Sequence, residues 1–237
     1  MNLTGSLAVV TGATEGIGRA TAFALGHAGA RVAICARTAP NVEATVRELK
    51  AGSIDAIGMP CDVSNAASVE AFAAFVIRER GVPRILVNNA GIGRFKPLAE
   101  LALEDWDETM AVNVRSLYLV TRAFVVGMQG AGGTIVNIAS LAGKNGIAGG
   151  TAYCASKHAV LGFSKSLMLE VRKHGVRVVA ICPGSVATPF TAKQQGRMPH
   201  NPDRVLTADD VAHAVLSTLT VSDRAMMSEV DIRPTDP

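Results

Sequence analysis

Short runs of aliphatic and β-branched residues alternate along the chain with longer amphipathic segments. The short runs are nearly continuously hydrophobic, as in LAVV and RVVAIC, which is typical of parallel strands buried on both faces. The longer segments have the apolar periodicity of helices. This pattern predicts strands at Leu7–Thr11, Arg31–Ala36, Ala56–Cys61, Ile85–Asn88, Thr134–Ile138, Val176–Ile181 and Glu229–Arg233, and helices near 17–29, 40–51, 65–80, 103–128, 151–174 and 208–220.

Regular alternation of strands and helices predicts an α/β fold: a doubly wound parallel sheet of about seven strands with helices on both faces. The chain has 237 residues, of which 49% are hydrophobic but only 4% aromatic, so aliphatic side chains must build the core. No linker or long repeat divides the sequence. We therefore predict a single domain over residues 1–237.

One long stretch, from Pro183 to Leu206, has neither a strand nor a helix pattern, because four prolines and two glycines interrupt it. Loops of this length in compact domains are usually functional or disordered. We predict a substrate lid at residues 189–206, with a surface loop that has no role in the site as the alternative. Its cations either attract an anionic substrate or form a solvated face: Lys193, Arg197, His200 and Arg204.

Charge and cysteine content exclude several classes of function. The formal net charge is +3, from 23 basic and 20 acidic residues spread along the chain, so no basic stripe indicates a nucleic-acid surface. No apolar run approaches the roughly 18 residues of a membrane helix, and the first residues do not resemble a secretory signal. The four cysteines lack the spacing of a metal site. We expect a cytoplasmic protein that binds a small-molecule substrate, with no metal and no nucleic-acid or membrane partner.

A glycine-rich turn, TGATEGIG, follows the first strand and opens the first helix. Gly12, Gly16 and Gly18 allow a tight turn and a close approach of the backbone to a pyrophosphate. The N-terminus of the helix adds unpaired N–H groups and the positive end of the helix dipole. This setting favours dinucleotide binding, and a glycine turn without a nucleotide is the alternative.

The end of the second strand distinguishes between the two nicotinamide dinucleotides. In NAD-binding proteins an acidic residue at this place accepts hydrogen bonds from the adenosine ribose. Here the strand ends with Ala36 and Arg37, and no acidic residue follows before Glu43. A guanidinium suits the 2′-phosphate of NADP. We predict that NADP(H) is preferred; NAD(H) stays an alternative because Glu15 places a negative charge near the phosphates.

Further motifs follow the glycine turn in order along nearly the whole chain. They are Asp62-Val63, Asn88-Asn89-Ala90-Gly91, Asn113, Ser140, Tyr153-x-x-x-Lys157 and Pro183-Gly184-Ser185-Val186-Ala187-Thr188. Each motif alone is weak, but their order and spacing together are specific. The chain resembles the short-chain dehydrogenase/reductase family, in the branch with subunits of about this length.

The resemblance implies a Rossmann-type fold, an oxidoreductase and a set of site residues. Ser140 would hold a substrate carbonyl, Lys157 would contact the nicotinamide ribose, and Asn113 would maintain a water-linked proton path to that lysine. The implied catalytic residues are Asn113, Ser140, Tyr153 and Lys157. The implied cofactor-binding residues are Gly12, Thr14, Glu15, Gly16, Ile17, Gly18, Arg37, Asp62, Val63, Asn89, Ala90, Gly91, Tyr153, Lys157, Pro183, Gly184, Val186 and Thr188.

The stretch TAYCASKHAV carries one of only two tyrosines in the chain. Residues four apart share a helix face, so Lys157 lies on the same side as Tyr153. A free phenol has a pKa of about 10, and a nearby positive charge lowers such a pKa by about 1–3 units. We expect Lys157 to lower the pKa of Tyr153, which then acts as general acid or base. Alone, this spacing is more often structural.

We predict an NADPH-dependent reductase of a ketone or aldehyde, such as a 3-oxoacyl substrate. The alternatives are an alcohol, sugar or steroid dehydrogenase that works in the oxidative direction, and a protein that binds NADP without turnover. The helix near 151–174 has apolar residues around much of its circumference, so it is covered on more than one side. The resemblance implies that it builds a subunit interface together with the helix near 103–128. We expect a homo-oligomer, either a tetramer or a dimer. Phe95, Leu141 and Phe190 are candidates for an apolar wall of the substrate pocket.

Overall fold

The computed structural model describes residues 2–192 and 204–236, which form one layered α/β body. Each predicted strand and each predicted helix is present, with shifts of a few residues at their ends. The strands are β1 Leu7–Thr11, β2 Arg31–Ala36, β3 Ala56–Pro60, β4 Ile85–Asn88, β5 Gly133–Ile138, β6 Val176–Pro183 and β7 Glu229–Ile232. The helices are α1 Gly16–His27, α2 Ala39–Ala51, α3 Ala66–Arg80, α4 Leu103–Met110, α5 Ser116–Ala131, α6 Thr151–Val171, α7 Pro189–Ala192 and α8 Ala208–Thr220.

All seven strands belong to one parallel sheet in the order β3-β2-β1-β4-β5-β6-β7. The chain therefore runs outward from β1 to one edge, returns, and runs from β4 to the other edge. In sheets of this kind ligands bind beyond the carboxyl ends of the strands where the order reverses. Here that position lies between β1 and β4.

Helices cover both faces of the sheet, as the doubly wound prediction requires. Strand β1 divides its side chains by alternation: Ala8 and Val10 pack with α1, α2 and α8, whereas Leu7 and Val9 pack with α3, α5 and α6. The buried residues of the first cluster are all aliphatic, whereas the second also contains Phe72 and Phe124, whose rings meet edge to face. The sheet is thus buried on both sides. This packing holds the carboxyl ends of its strands in a fixed arrangement.

The single helix predicted near 103–128 is wrong in one respect. Helix α4 ends at Met110, the turn Ala111–Arg115 is π-helical, and α5 then continues to Ala131. Turns of this kind occur often at functional sites. Here the widened turn contains Asn113, whose buried amide bonds to backbone outside the helix.

Among the other predicted ends that moved, those of β6 and α6 shifted by two and three residues. Strand β6 continues past Ile181 to Pro183, because β7 pairs with it along Ala180–Pro183. Helix α6 ends at Val171 and is followed by a 3₁₀ turn over Arg172–His174, not by three further α-helical residues. In the part of the chain that the structure describes, no helix is long and apolar enough to cross a membrane.

Candidate active site

A cleft lies at the carboxyl edge of the sheet, over the reversal between β1 and β4, and extends across to β6. Of the predicted site residues, only Gly18 and Asn113 are not part of its wall. The cleft is lined by Gly12, Thr14, Glu15, Gly16, Ile17, Arg37, Asp62, Val63, Asn89, Ala90, Gly91, Ser140, Tyr153, Lys157, Pro183, Gly184, Val186 and Thr188.

The glycine turn has the backbone that its sequence predicts. Gly12 and Gly16 have φ values of +62° and +54°, in the left-handed region that favours glycine. Gly18 is not part of the cleft wall, and its predicted contact with a cofactor stays a prediction. A Cβ atom there would lie 2.3 Å from both the Gly12 carbonyl oxygen and the Asn89 amide nitrogen, so Gly18 permits close packing beneath the turn.

The N-terminus of α1 opens into this cleft without a side-chain cap. The side chain of its N-cap residue, Glu15, makes no capping hydrogen bond, and the first turn of the helix contains no acidic residue. The first N–H groups of a helix have no partner within the helix and lie at its positive end. The turn and the helix start therefore fit a pyrophosphate group.

The end of the cleft next to β2 and β3 contains both positive and negative charge. Arg37 follows β2 directly and is exposed at the cleft wall, and Asp62 follows β3. The Asp62 carboxylate accepts hydrogen bonds from the Ser64 hydroxyl at 2.7 Å and from the Ser64 N–H at 2.9 Å. These bonds hold the pKa of Asp62 below its ordinary value, and the positive charge of Arg37 adds to the effect.

Thr11, at the end of β1, begins the predicted glycine-rich motif and is a positioning residue that was not among the predicted site residues. Its buried hydroxyl accepts hydrogen bonds from the backbone N–H groups of Asn89 and Ala90, both at 3.1 Å. The Asn89 amide in turn donates to the carbonyl oxygens of Thr11 and Gly12 at 2.9 and 3.0 Å. The two walls of the cleft are thereby tied together. A threonine that closes an apolar strand was the available signal.

Tyr153 and Lys157 lie on the buried face of α6, at the end of the cleft opposite Arg37. The Lys157 ammonium donates to the Ile138 carbonyl oxygen at 2.9 Å and lies 5.7 Å from the centre of the Tyr153 ring. Ser140 follows β5, and its hydroxyl accepts a hydrogen bond from the Ala142 N–H at 3.1 Å. The three side chains thus converge on one end of the cleft.

The predicted lowering of the Tyr153 pKa is wrong for the protein's own groups. Burial raises the pKa of the Tyr153 phenol to about 12, and the neighbouring Ser140 hydroxyl opposes this only in part. Burial also lowers the pKa of the Lys157 ammonium to about 8. Desolvation outweighs the attraction that the i, i+4 spacing predicts, because both groups are almost fully removed from water.

Asn113 lies behind the cleft wall and holds two parts of the site together. Its amide oxygen accepts from the Ile92 N–H at 2.8 Å, and its amide nitrogen donates to the Ile92 carbonyl oxygen and the Ser156 hydroxyl, both at 2.9 Å. A Cβ atom on Gly91 would lie 3.4 Å from the Asn113 oxygen and 3.7 Å from the Lys157 nitrogen. Asn113 therefore positions the loop beside the lysine.

Ser156 is a second site residue that the sequence analysis missed. It is completely buried, and its hydroxyl donates to the Tyr153 carbonyl oxygen at 2.7 Å while it accepts from Asn113. The signal in the sequence was a small polar residue between Tyr153 and Lys157 on a helix face that is otherwise buried. A serine is common in helices, so this signal is weak.

A series of hydrogen bonds between buried polar side chains connects α6 with the centre of the sheet. Asn88 donates to the Thr121 hydroxyl at 3.1 Å and to the Asn137 amide oxygen at 2.9 Å. Asn137 then donates to the Ser164 hydroxyl at 2.9 Å. These bonds connect β4 and β5 with α5 and α6, so they fix α6 on the sheet.

Aromatic rings surround Tyr153. The Phe95 and Phe190 ring centres lie 5.1 and 5.8 Å from that of Tyr153, in tilted arrangements. These two rings give the Tyr153 end of the cleft an apolar wall. Leu141, the third predicted wall residue, is not part of the cleft wall and packs against the buried cluster that includes Ala139 and Leu161.

Only the two ends of the predicted lid are described. Residues 189–192 form the short helix α7, and Leu206 is buried with its backbone bridged to Val186. Arg204 forms an ion pair with Asp236 at 2.7 Å. The other three cations of the predicted lid, Lys193, Arg197 and His200, lie outside the described residues.

Comparison with known proteins agrees with this geometry. Residues 6–198 match the model of the short chain dehydrogenase family. The chain is 43% identical over 189 residues to a putative ketoacyl reductase of Streptomyces coelicolor, covering 78% of this chain and 72% of that protein. It is 44% identical over 187 residues to D-threitol dehydrogenase of Mycolicibacterium smegmatis, with 78% and 72% covered.

One solved structure extends the likeness to nearly the whole fold. A variant of actinorhodin polyketide ketoreductase, in its crystal structure with NADPH, superimposes with a TM-score of 0.91. It is 33% identical in sequence, and the match covers 97% of this chain and 96% of that one.

Proposed function

The chain belongs to the short-chain dehydrogenase family, and from this premise we propose that it reduces a ketone or aldehyde with NADPH. The observation that carries the proposal is the convergence of Ser140, Tyr153 and Lys157 at one end of a cleft whose other end offers a glycine turn and an uncapped helix. A bound nicotinamide dinucleotide would supply hydride. The protein would position the substrate, donate the proton and contact the carbonyl oxygen.

Tyr153 acts in this proposal as the general acid. Its phenol is protonated at neutral pH, because burial raises its pKa to about 12, so it can donate a hydrogen bond and then a proton to a carbonyl oxygen. Ser140 holds the same oxygen from the other side of the cleft end. Tyr153 is held on α6 and Ser140 at the turn that follows β5, and this placement supplies orientation, which accounts for a large part of many enzymic rate enhancements.

Lys157 stabilises the phenolate that proton donation leaves behind. With a pKa of about 8 its ammonium is mostly charged at pH 7, although it is buried. Release of a proton by Tyr153 puts a negative charge close to this ammonium, and the attraction between them is strong in a site that excludes water. Asn113 holds the adjoining loop, which contains Gly91, in place beside Lys157.

NADPH is the proposed cofactor because Arg37 occupies the place where NAD-binding proteins have an acidic residue. The exposed guanidinium provides donors for a 2′-phosphate, and Thr38 and Asn41 line the same part of the cleft. The structural relative described above was solved with NADPH, which supports this choice. Glu15, the N-cap residue of α1, lines the same cleft and contributes an opposing negative charge there.

The direct test is a titration of the purified protein with NADPH and NADH, followed by nicotinamide fluorescence and then by a panel of ketones. We expect tighter binding of NADPH and oxidation of NADPH by at least one ketone. Arg37→Ala should weaken NADPH binding about 10–100-fold, as expected for loss of about 1.5–3 kcal/mol from bonds between charged groups, and leave NADH binding unchanged. Arg47→Ala, an exposed arginine on α2 outside the cleft, is the control.

A second candidate is the reverse reaction, oxidation of an alcohol. The relationship with a D-threitol dehydrogenase favours it, since that relative is as similar in sequence as the ketoacyl reductase. The same residues serve both directions, with Tyr153 as general base. Preference for NADH in the titration would favour oxidation. Binding of NADPH without turnover of any carbonyl or alcohol would instead support a protein that only binds the nucleotide.

We also propose that the protein forms a homo-oligomer through α4, α5 and α6. These helices expose large apolar side chains: Leu103, Tyr118, Val126 and Leu169. Light scattering at micromolar concentration tests this, and a monomer there would contradict it.

A further inference from the structure

The turn that follows Ser140 is tied to the edge of the sheet by one lysine. A 3₁₀ turn runs over Leu141–Gly143, and Lys144 ends it. The Lys144 ammonium forms ion pairs with Glu229, at 2.5 Å, and with Asp231. Both carboxylates belong to β7, so the turn is bound to a strand that is distant in sequence, as Lys144 and Asp231 are 87 residues apart.

The other hydrogen bonds of this turn are local. The Ala142 N–H donates to the Ser140 hydroxyl, the Gly143 N–H to the Ser140 carbonyl oxygen at 2.9 Å, and the Lys144 N–H to the Leu141 carbonyl oxygen at 3.0 Å. Packing against α6 covers one side, where a Cβ on Gly143 would lie 2.8 Å from the Lys157 carbonyl oxygen. The Lys144 ion pairs are thus the polar contacts by which this turn reaches β7 within the described part of the chain.

Strand β7 is a fixed support for this contact. Glu229 pairs with Ala180 and Asp231 with Cys182 in the parallel ladder between β7 and β6. The two carboxylates are two residues apart on the strand, so they point to the same face. Strand β6 leads directly into the segment 183–188, which lines the cleft.

The carboxylates keep partners of their own. Lys165 on α6 lies 3.4 Å from Glu229, and Arg233 lies 3.4 Å from Asp231. Hydrogen bonds from Lys144 hold the pKa of both acids below their ordinary values, so the cluster is ionised at neutral pH. Loss of Lys144 would therefore free the turn without leaving β7 with two unpaired charges.

We propose that Lys144 is a positioning residue, which sets the place of the Ser140 hydroxyl relative to the segment 183–188. The inference rests on the proposed function, in which Ser140 holds the substrate carbonyl and the 183–188 segment lines the cofactor side. Because the two parts are carried by β5 and β6, the sheet alone fixes their backbones. The Ser140 side chain, however, stands at the start of a turn that Lys144 fastens to the β6–β7 edge by ion pairs.

The test compares Lys144→Ala, Lys144→Arg and Lys165→Ala with the wild type. Lys144→Ala should lower kcat on the order of 10-fold, since small misplacement of a reacting group is costly, with unchanged Kd for NADPH. Lys144→Arg keeps the charge and should recover most of the lost kcat. Lys165→Ala removes a cation from the same carboxylate but not from the turn, so its kcat should equal that of the wild type. Equal kcat in Lys144→Ala and Lys165→Ala would overturn the proposal.

Hydrogen exchange gives a readout that does not depend on turnover. Mass spectrometry of peptides that cover residues 140–145 should show faster amide exchange in Lys144→Ala than in Lys165→Ala or the wild type. Unchanged exchange would overturn the role of Lys144 in holding the turn. A wild-type protein that oxidises no NADPH with any carbonyl would contradict the proposed function instead, and the exchange result would still decide whether Lys144 holds the turn.

Discussion

The Asn113 amide nitrogen and the Ser156 hydroxyl lie 2.9 Å apart although 43 residues separate them in the sequence. The bond joins the π-helical turn between α4 and α5 to the first turns of α6, one residue before Lys157. It therefore couples α6, which carries Lys157, to Asn113, which holds the loop at Ile92. Buried polar groups without partners are costly, so the second N–H of the Asn113 amide depends on this contact.

Replacement of Ser156 by alanine tests this coupling. Ser156→Ala leaves the buried Asn113 amide short of one acceptor, which should lower the free energy of unfolding by about 1–3 kcal/mol. It should also lower kcat, because Asn113 then orients the loop at Ile92 less firmly. Urea unfolding and NADPH oxidation measure the two effects. Ser164→Ala is the matched control: Ser164 accepts the same kind of bond, from Asn137, on the same helix but farther from Lys157. If both variants lose equal activity, Ser156 has no special role.

Replacement of Tyr153 by phenylalanine tests the proton donor. The ring keeps its contacts with Phe95 and Phe190, while the hydroxyl is lost. We expect kcat to fall about 10²–10⁴-fold, the usual contribution of a general acid, with nearly unchanged NADPH binding. Steady-state kinetics and a fluorescence titration measure this. The only other tyrosine, Tyr118, is 47% exposed on α5, and Tyr118→Phe should behave as the wild type. Full activity of Tyr153→Phe would remove Tyr153 from the reaction.

Lys157 should make stability depend on pH in alkaline solution. Its pKa is about 8 in the folded protein and about 10.4 when unfolded, so between these values the unfolded chain binds more protons. The free energy of unfolding then rises with pH across this window, because the cost of the buried charge disappears. Relative to Lys157→Met, the wild type should gain about 2–3 kcal/mol between pH 7 and pH 10.

Urea unfolding of both proteins at several pH values measures this difference. The comparison with Lys157→Met cancels the titration of other groups, including Tyr153, whose raised pKa acts in the opposite direction above pH of about 10. A constant difference between the two proteins from pH 7 to pH 10 would contradict the lowered pKa of Lys157.

Gly18 should tolerate no side chain. Gly18→Ala would place a Cβ atom 2.3 Å from the Gly12 carbonyl oxygen, so the glycine turn must shift. We expect weaker NADPH binding and a loss of stability typical of overpacking, about 1–3 kcal/mol. Gly162→Ala, within α6, is the control, since a Cβ there meets no atom within 4 Å and alanine favours a helix by about 0.5–1 kcal/mol. Thermal unfolding and an NADPH titration distinguish the two variants.

Much of the fold could be predicted from local patterns in the sequence. Aliphatic runs such as LAVV and RVVAIC set the strands, and their alternation with helices requires parallel pairing. The left-handed backbone at Gly12 and Gly16 was likewise predictable, because glycine alone takes that conformation without strain. These features depend on residues close together in the chain, so the sequence suffices to predict them.

The site was only partly predictable. Order and spacing of motifs identified the residues that the fold brings to the cleft, and Ser140, Tyr153 and Lys157 do converge there. The sequence did not indicate the hydrogen-bonding roles of Thr11 and Ser156, because a buried hydroxyl has a role only through the partner that the fold presents to it.

By itself the sequence determined the α/β class, the parallel sheet, the glycine turn and many of the residues that line the cleft. Only the tertiary structure decided the π-helical turn at Asn113, the packing role of Gly18 and the direction of the Tyr153 pKa. The reason is physical. A spacing of i, i+4 predicts only that two side chains are neighbours, whereas their pKa values also depend on how far the fold excludes water from them. Desolvation is a property of the whole fold, since many distant residues together cover one side chain.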